Sequence, residues 1–330
     1  MHIEIDDILV KIYGLHPISI IKHSHKKGNI FIVTTDNKTY ILKVYSRPVN
    51  HDFQIAILNQ LTKNGFTQFP RVIFTKNGQS SVEMGSLRYV LYEWIDGTIP
   101  SFHRIRQLKM AASFLASFHA VAEGLDEDVI NKSTRNDFLY PATFGEVRVG
   151  PFRNKVILNR LNEWVNHFGT DPLRIALERM EYAENMFSTD NYKELLQTEK
   201  EKNTFIHGDY NYSNLIYSPK GKVYLIDFDA SSVYMRICDL LFLCHLHMGK
   251  EAEYLIDILK SYHQIRPLSR LEFEIIKAEL FVPGKIYWEM HINTHSNHPI
   301  NEEWINNRLA IYALKERFDK IRTLSFKDIC

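Results

Sequence analysis

The chain has 330 residues, 45% hydrophobic and 24% charged, an ordinary globular composition whose length suggests two domains or lobes at roughly 100 to 200 residues apiece. Lysine plus arginine (40) exceeds aspartate plus glutamate (39) by one, so net charge supplies no reason for a nucleic-acid or membrane partner, and the electrostatics of any site must be local. The three cysteines, Cys238, Cys244 and Cys330, form neither a CxxC pair nor an even framework, which argues against a disulfide scaffold and for reduced thiols.

The opening MHIEIDDILV is acidic where a secretory leader would be basic. The longest apolar run, around ICDLLFLCHLHM, is too short and too polar to span a bilayer, so the expectation is a cytoplasmic protein. Residues 29 to 45, NIFIVTTDNKTYILKVY, hold two β-rich runs separated by a turn-like TDNK and read as a hairpin. In DFQIAILNQLTKNGF, Phe53, Ile57, Leu58 and Leu61 recur at helical spacing and the pattern stops near Gly65, so one helix follows. VIFTKNGQSSVEMGSLRYVLYEWI then returns to short strands broken by Asn-Gly and Gly-Ser turns. After YEWIDGTIP the spacing becomes helical, in IRQLKMAASFLASFHAVA, NKVILNRLNEWVNHF, LRIALERMEYAENMF and most of residues 237 to 325. Residues 124 to 150 carry no sustained period and read as a long surface loop. The fold class is therefore α+β, with a small antiparallel sheet and one helix over residues 1–95, a hinge at about 92–97, and a larger, mainly helical part over 98–330.

Between two helical regions lies FIHGDYNYSNLIYSPKGKVYLIDFD, residues 205–229. It gathers His207, Asp209 and Asn214 in a loop, then ends an apolar strand on Asp227 and Asp229. Acids at loop and strand ends suit phosphoryl transfer. One carboxylate orients or deprotonates an attacking hydroxyl, while a second carboxylate and an amide oxygen hold magnesium, which takes hard oxygen ligands. The order His, Asp, four residues, Asn, then a strand-end Asp also matches the protein-kinase signature, with Asp209 as base and Asn214 and Asp227 as metal ligands. A polar turn between strands is the bland alternative.

HGDYNYSN followed by LIDFD resembles the aminoglycoside phosphotransferase and choline kinase superfamily, whose loop reads HGD with Asn five residues after the Asp. The resemblance covers nearly the whole chain. It implies a protein-kinase-like two-lobe fold, ATP and Mg²⁺ as cofactors, and a small hydroxylated acceptor. It also implies site residues one by one. Lys43 in YILKV corresponds to the strand lysine that reaches the α- and β-phosphates. Gly28 and Asn29 in SHKKGNIFIV occupy the tip of the phosphate-covering turn. The Glu93 carbonyl and Ile95 amide in YVLYEWIDG would meet the adenine edge, with Tyr92 as gatekeeper. FLASFHA resembles the helix whose His packs beneath the catalytic loop, and Asp239 matches the acid that braces that loop.

Some positions stay open. The helix after Lys43 should carry a glutamate as the lysine's partner, yet the matching residue is Gln54; Asp52 lies on a different helical face. Glutamate at 54 would strengthen Lys43's hold unless another acid already serves, in which case it would bring repulsion. Asp229 is either a second metal ligand or the partner of a basic neighbour. His291, His295 and His298 offer a metal set or a loop at the acceptor pocket, and Phe281, Tyr287, Trp288 and Trp304 a cation-binding wall or helix core. The rival to an enzyme is a kinase-like structural or regulatory protein, as the resemblance to spore-coat members of the superfamily allows.

Overall fold

The computed structural model describes residues 5–23, 29–46, 51–132, 151–245, 252–282, 303 and 321–330. Gly28, the three clustered histidines, Tyr287, Trp288, Trp304 and most of the expected 124–150 loop lie outside the described residues. The chain divides into two compact units. One comprises residues 1–62, 66–100 and 212–229, the other 63–65, 101–211 and 230–330.

In the first unit a short helix α1 (Ile5–Ile8) runs into a π-helical turn, Leu9–Tyr13. Strands β1 (Ser19–Lys22), β2 (Asn29–Thr34) and β3 (Thr39–Tyr45) follow, then helix α2 (His51–Lys63) and strands β4 (Val72–Ile73), β5 (Val82–Met84) and β6 (Leu87–Glu93). The sheet is antiparallel, ordered β1-β2-β3-β6-β4, with β5 paired to β6. The β2–β3 hairpin and α2 fall where the two β-rich runs around TDNK and the Gly65 stop place them. To that expected set the structure adds α1, the π turn and β1. Ile8, Leu9 and Tyr13 pack with Val33, Leu42, Val82, Tyr89 and Leu91 to form the core on one face of the sheet. Full burial of a side chain the size of Leu9 contributes about 1.5–3 kcal/mol, and Ile8 and Tyr13 add to it. Because strand side chains alternate, this leaves Ile41, Lys43 and Tyr45 to the opposite face.

Strands Leu215–Tyr217 and Val223–Leu225 form a hairpin within the same unit. Its backbone is tied to the rest of the unit by Leu225 N–H donating to Gln68 O at 2.9 Å and by reciprocal bonds between Thr98 and Tyr217. Gly97 permits the close approach, since a Cβ there would lie 2.5 Å from the Tyr217 carbonyl oxygen.

The second unit is mainly helical. It contains α3 (Ile105–His119), α4 (Glu127–Lys132), α5 (Pro151–Phe168), α6 (Asp171–Phe187), α7 (Asp190–Glu201), α8 (Ile237–His245), α9 (Ala252–His263) and α10 (Arg270–Phe281). A strand pair, Phe205–Ile206 with Ser232–Val233, completes it. On α3 the buried residues Leu108, Ala111, Ala112, Leu115, Phe118 and His119 keep the i, i+3, i+4 spacing of one face, and α3 packs on α9. α4 replaces part of the expected loop, its first turn closed by Asp128 N–H donating to the Asp126 carboxylate at 2.8 Å. α10 begins with a capping box, Ser269 and Glu272 bonding reciprocally, which satisfies two backbone amides at the helix start. Phe281 is buried, its ring edge-on to Tyr182 at 5.3 Å, which makes it core. Cys238 and Cys244 are buried free thiols and Cys330 is an exposed one.

Candidate active site

A cavity of about 400 Å³ lies within the first unit, walled by apolar side chains that include Ile30, Ile41, Leu58, Ile216 and Ile226. Lys43, Glu93, Ile95, Asp227 and Asp229 also line it, so five of the sequence-predicted residues meet around one space. Asn29 opens β2 and is exposed. Glu93 closes β6, its N–H donating to Arg71 O at 2.8 Å, and the next amide, Trp94, donates to Thr39 O at 3.3 Å.

Lys43 is the centre of a charged cluster. Its ammonium donates to Asp227 Oδ1 at 2.6 Å and to Asp229 Oδ1 at 3.2 Å. Burial opposes the charge, but the two carboxylates together outweigh it and hold the lysine's pKa above its ordinary value. Tyr45, two residues on and therefore on the same face of β3, donates its hydroxyl to Asp229 Oδ1 at 3.1 Å. Burial raises the Tyr45 phenol and pushes Tyr92 up to about 12, so both stay neutral at physiological pH.

Asp227 sits at φ 69°, in the left-handed region that side chains other than glycine seldom enter. Such a conformation costs about 1–3 kcal/mol and persists where the surroundings demand it. Asn214, in a 3₁₀ turn and only 2% exposed, accepts the Ile226 N–H on its backbone carbonyl at 2.9 Å, joining its turn to the residue before Asp227.

Gln54 answers the open question of the lysine's partner. It is buried on α2 and its Nε2 donates to Asp229 Oδ1 at 3.2 Å. Asp229 therefore receives Lys43, Tyr45 and Gln54 on one oxygen and stands where a helix glutamate would otherwise serve. Asp52 is exposed and lines a different cavity with Glu83 and Arg88, so it is not the substitute. Gln54→Glu is accordingly expected to do harm. It removes a donor to a carboxylate and sets a second carboxylate against Asp229, lowering stability by about 1–3 kcal/mol. Asp52→Asn should stay within about 0.5 kcal/mol. Thermal melting of parent and both variants checks this, and a Gln54→Glu protein as stable as the parent would refute the role given to Asp229.

Asp209 belongs to the second unit. The strand Phe205–Ile206 leads into its loop, where Gly208 has φ 81° and a Cβ would run into the Ala230 carbonyl. Only glycine serves in the middle of HGD. The half-buried Asp209 accepts Asn211 Nδ2 on Oδ1 at 2.8 Å. His207 is buried, and its Nδ1 accepts the Asp209 N–H at 3.3 Å. Asp239, at the start of α8, accepts the His207 amide on Oδ2 and the Gly208 amide on Oδ1, each at 2.8 Å. His119 Nε2 lies 3.2 Å from the same Oδ2. Burial alone would raise the Asp239 carboxyl, but the His119 ring and the loop amides pull it below the ordinary aspartate value, and burial lowers His119.

Sequence reasoning missed Tyr45, Asn211 and the deeper partners of His119. Tyr45 was findable from strand alternation with Lys43, and Asn211 from its place two residues past Asp209, where an Asx-type local bond is common.

Among the described residues no group of three His, Cys, Asp or Glu side chains could hold a metal. Magnesium asks for less, since it keeps waters and phosphate oxygens and needs one or two carboxylates from the protein. Two carboxylates against one ammonium leave the Lys43 cluster net negative, and their hard oxygens fit that ion.

A model of the phosphotransferase enzyme family matches residues 20–273. Spore coat protein S of Bacillus subtilis (strain 168) is 21% identical over 331 residues, covering 96% of this chain and 93% of that protein. Among solved structures, the aminoglycoside phosphotransferase of Alicyclobacillus acidocaldarius aligns with a TM-score of 0.77 at 20% identity, covering 99% of this chain and 97% of that one. Spectinomycin phosphotransferase in complex with ADP and spectinomycin aligns with a TM-score of 0.57 at 13% identity, covering 96% and 100%. The fold is thus the kinase-like one expected, an antiparallel-sheet region followed by a helical part.

Proposed function

Because the chain belongs to the phosphotransferase enzyme family, we propose that it transfers the γ-phosphate of ATP to a hydroxyl of a small molecule, with magnesium. The observation that carries this reading is the apolar cavity that also holds Lys43 between two strand-end carboxylates. Apolar walls suit a nucleotide base and the lysine its phosphates. In this reading the Glu93 carbonyl and Ile95 amide face the adenine edge, Gly28 and Asn29 the phosphates, and Lys43 the α- and β-phosphates. Asn214 and Asp227 would hold magnesium, with Asp229 committed to Lys43. When bound, the ion neutralises phosphate charge as it develops. Asp209 orients the acceptor hydroxyl and takes its proton on a carboxylate oxygen as the new O–P bond forms and ADP departs with the electrons of the broken one. Acceptors in the class of spectinomycin, the antibiotic named with one structural neighbour, are candidates, as are small metabolites bearing alcohols. A cytoplasmic location is part of the proposal. Among the described residues no helix is long and apolar enough to cross a membrane.

A second reading, a kinase-like structural component, draws on the spore-coat relative and on Gln54. Mg-ATP distinguishes the two. A ligand bound only by the folded state stabilises it by RT ln(1 + [L]/Kd), about 2.7 kcal/mol at a hundred times Kd. The expected result is a melting temperature several degrees higher with Mg-ATP, followed by ADP release in a screen of candidate alcohols. A melting curve indifferent to Mg-ATP favours the structural reading.

A further inference from the structure

Behind the Asp239 brace the second unit contains a longer buried chain. Glu272, already engaged in the α10 capping box, pairs with Arg236 Nη2 through both carboxylate oxygens, at 2.8 and 2.9 Å. Arg236 Nη2 also donates to Pro267 O at 3.0 Å, and its Nη1 donates to the Tyr262 hydroxyl at 2.9 Å. That hydroxyl lies 2.8 Å from His119 Nδ1. His119 Nε2 faces Asp239, which holds the amides of His207 and Gly208. Arg236, Tyr262, His119, Asp239 and Glu272 are all buried, none more than 8% exposed.

We infer that Arg236 and Tyr262 fix the direction of the protons in this chain, and that Tyr262 is thereby a positioning residue for the Asp209 loop. The argument follows from what each group can do. A guanidinium only donates and a carboxylate only accepts, so the Tyr262 oxygen accepts from Arg236 and His119 Nε2 donates to Asp239; in a neutral imidazole this leaves Nδ1 bare to accept the phenol's own proton. With Nδ1 accepting, the neutral imidazole carries its proton on Nε2 and donates it to Asp239 Oδ2. Asp239 then accepts three N–H groups, one from His119 and two from the loop, and this fixes the backbone on which Asp209 sits. The opposite tautomer would turn a lone pair toward the carboxylate. With a neutral ring the chain has one consistent assignment, because it starts at an obligate donor and ends at an obligate acceptor. The inference rests on the proposed function only in treating that loop as catalytic.

The test needs no activity. In ¹⁵N-labelled full-length protein without nucleotide, long-range ¹⁵N–¹H correlation should show His119 protonated on Nε2 and bare on Nδ1. A proton on Nδ1, alone or with Nε2, overturns the inference. Tyr262→Phe keeps the ring and removes the hydroxyl. In that variant, amide exchange at His207 and Gly208 should quicken about tenfold, the scale of one net hydrogen bond, while amides in α6 keep their parent rates. A folded variant whose two loop amides exchange as in the parent refutes it. If the variant does not fold, the parent spectrum decides alone, and a protein without phosphotransferase activity still yields both readouts.

Discussion

Asp209→Asn should cut kcat by about a hundredfold or more, the usual scale of a lost general base, while leaving the fold and ATP affinity close to those of the parent. The expectation of an intact fold comes from what Asp209 touches. Its amide donates to His207 Nδ1 and its Oδ1 accepts Asn211 Nδ2. An asparagine keeps the first bond and can still present an oxygen to Asn211, so stability should move by no more than about 0.5 kcal/mol. What it cannot do is accept the acceptor's proton. The loop's placement is held elsewhere, by Asp239 on the His207 and Gly208 amides, so the loss should appear in kcat with the ATP KM unchanged. Steady-state kinetics against the acceptor found by screening, paired with a melting curve, measures both. Turnover equal to the parent's would remove Asp209 from the role of base.

The sequence was legible where structure is set locally. The β2–β3 hairpin and α2 needed only two β-rich runs around a turn, a helical period and a glycine stop. α7 did not announce itself in the same way, because Tyr192 and Glu199 are its only buried residues and two positions make no stripe. α1 and its π turn are too short to show a period, and their order comes from Ile8, Leu9 and Tyr13 packing on a sheet that begins later in the chain. The site divides along the same line. Asp209, Asn214 and Asp227 stood out as polar residues at a strand end and in a loop of known spacing, and Lys43 through the resemblance that YILKV carries. Which carboxylate meets which donor was not readable, because Lys43 and Asp227 are 184 residues apart and Gln54 and Asp229 are 175 apart. The same holds for His119 and Tyr262, separated by 143 residues. Spacing within a segment names the groups; only the fold pairs them.

Asp227→Asn should abolish the gain in ATP affinity that magnesium confers, a loss of more than about tenfold, since altering even the partners of a metal ligand costs 10- to 100-fold. The choice of asparagine over alanine follows from the backbone. At φ 69° a residue with a Cβ is strained, and Asn and Asp tolerate this region because their short polar side chains bond locally, whereas alanine has no such compensation. Asp227→Ala is therefore expected to lose the magnesium effect and about 1–2 kcal/mol of stability together, which would confuse a metal defect with a folding one. Asp227→Asn removes the charge alone. Lys43 keeps Asp229 as counter-ion, itself held by Tyr45 and Gln54, so the cluster goes from one net negative charge to neutral and basal melting should change little. Titrations of ATP with and without magnesium, on the parent and on Asp227→Asn, read the coupling directly. If magnesium strengthens ATP binding in the variant as much as in the parent, Asp227 is not a metal ligand, and its strained backbone serves only to aim a carboxylate at Lys43.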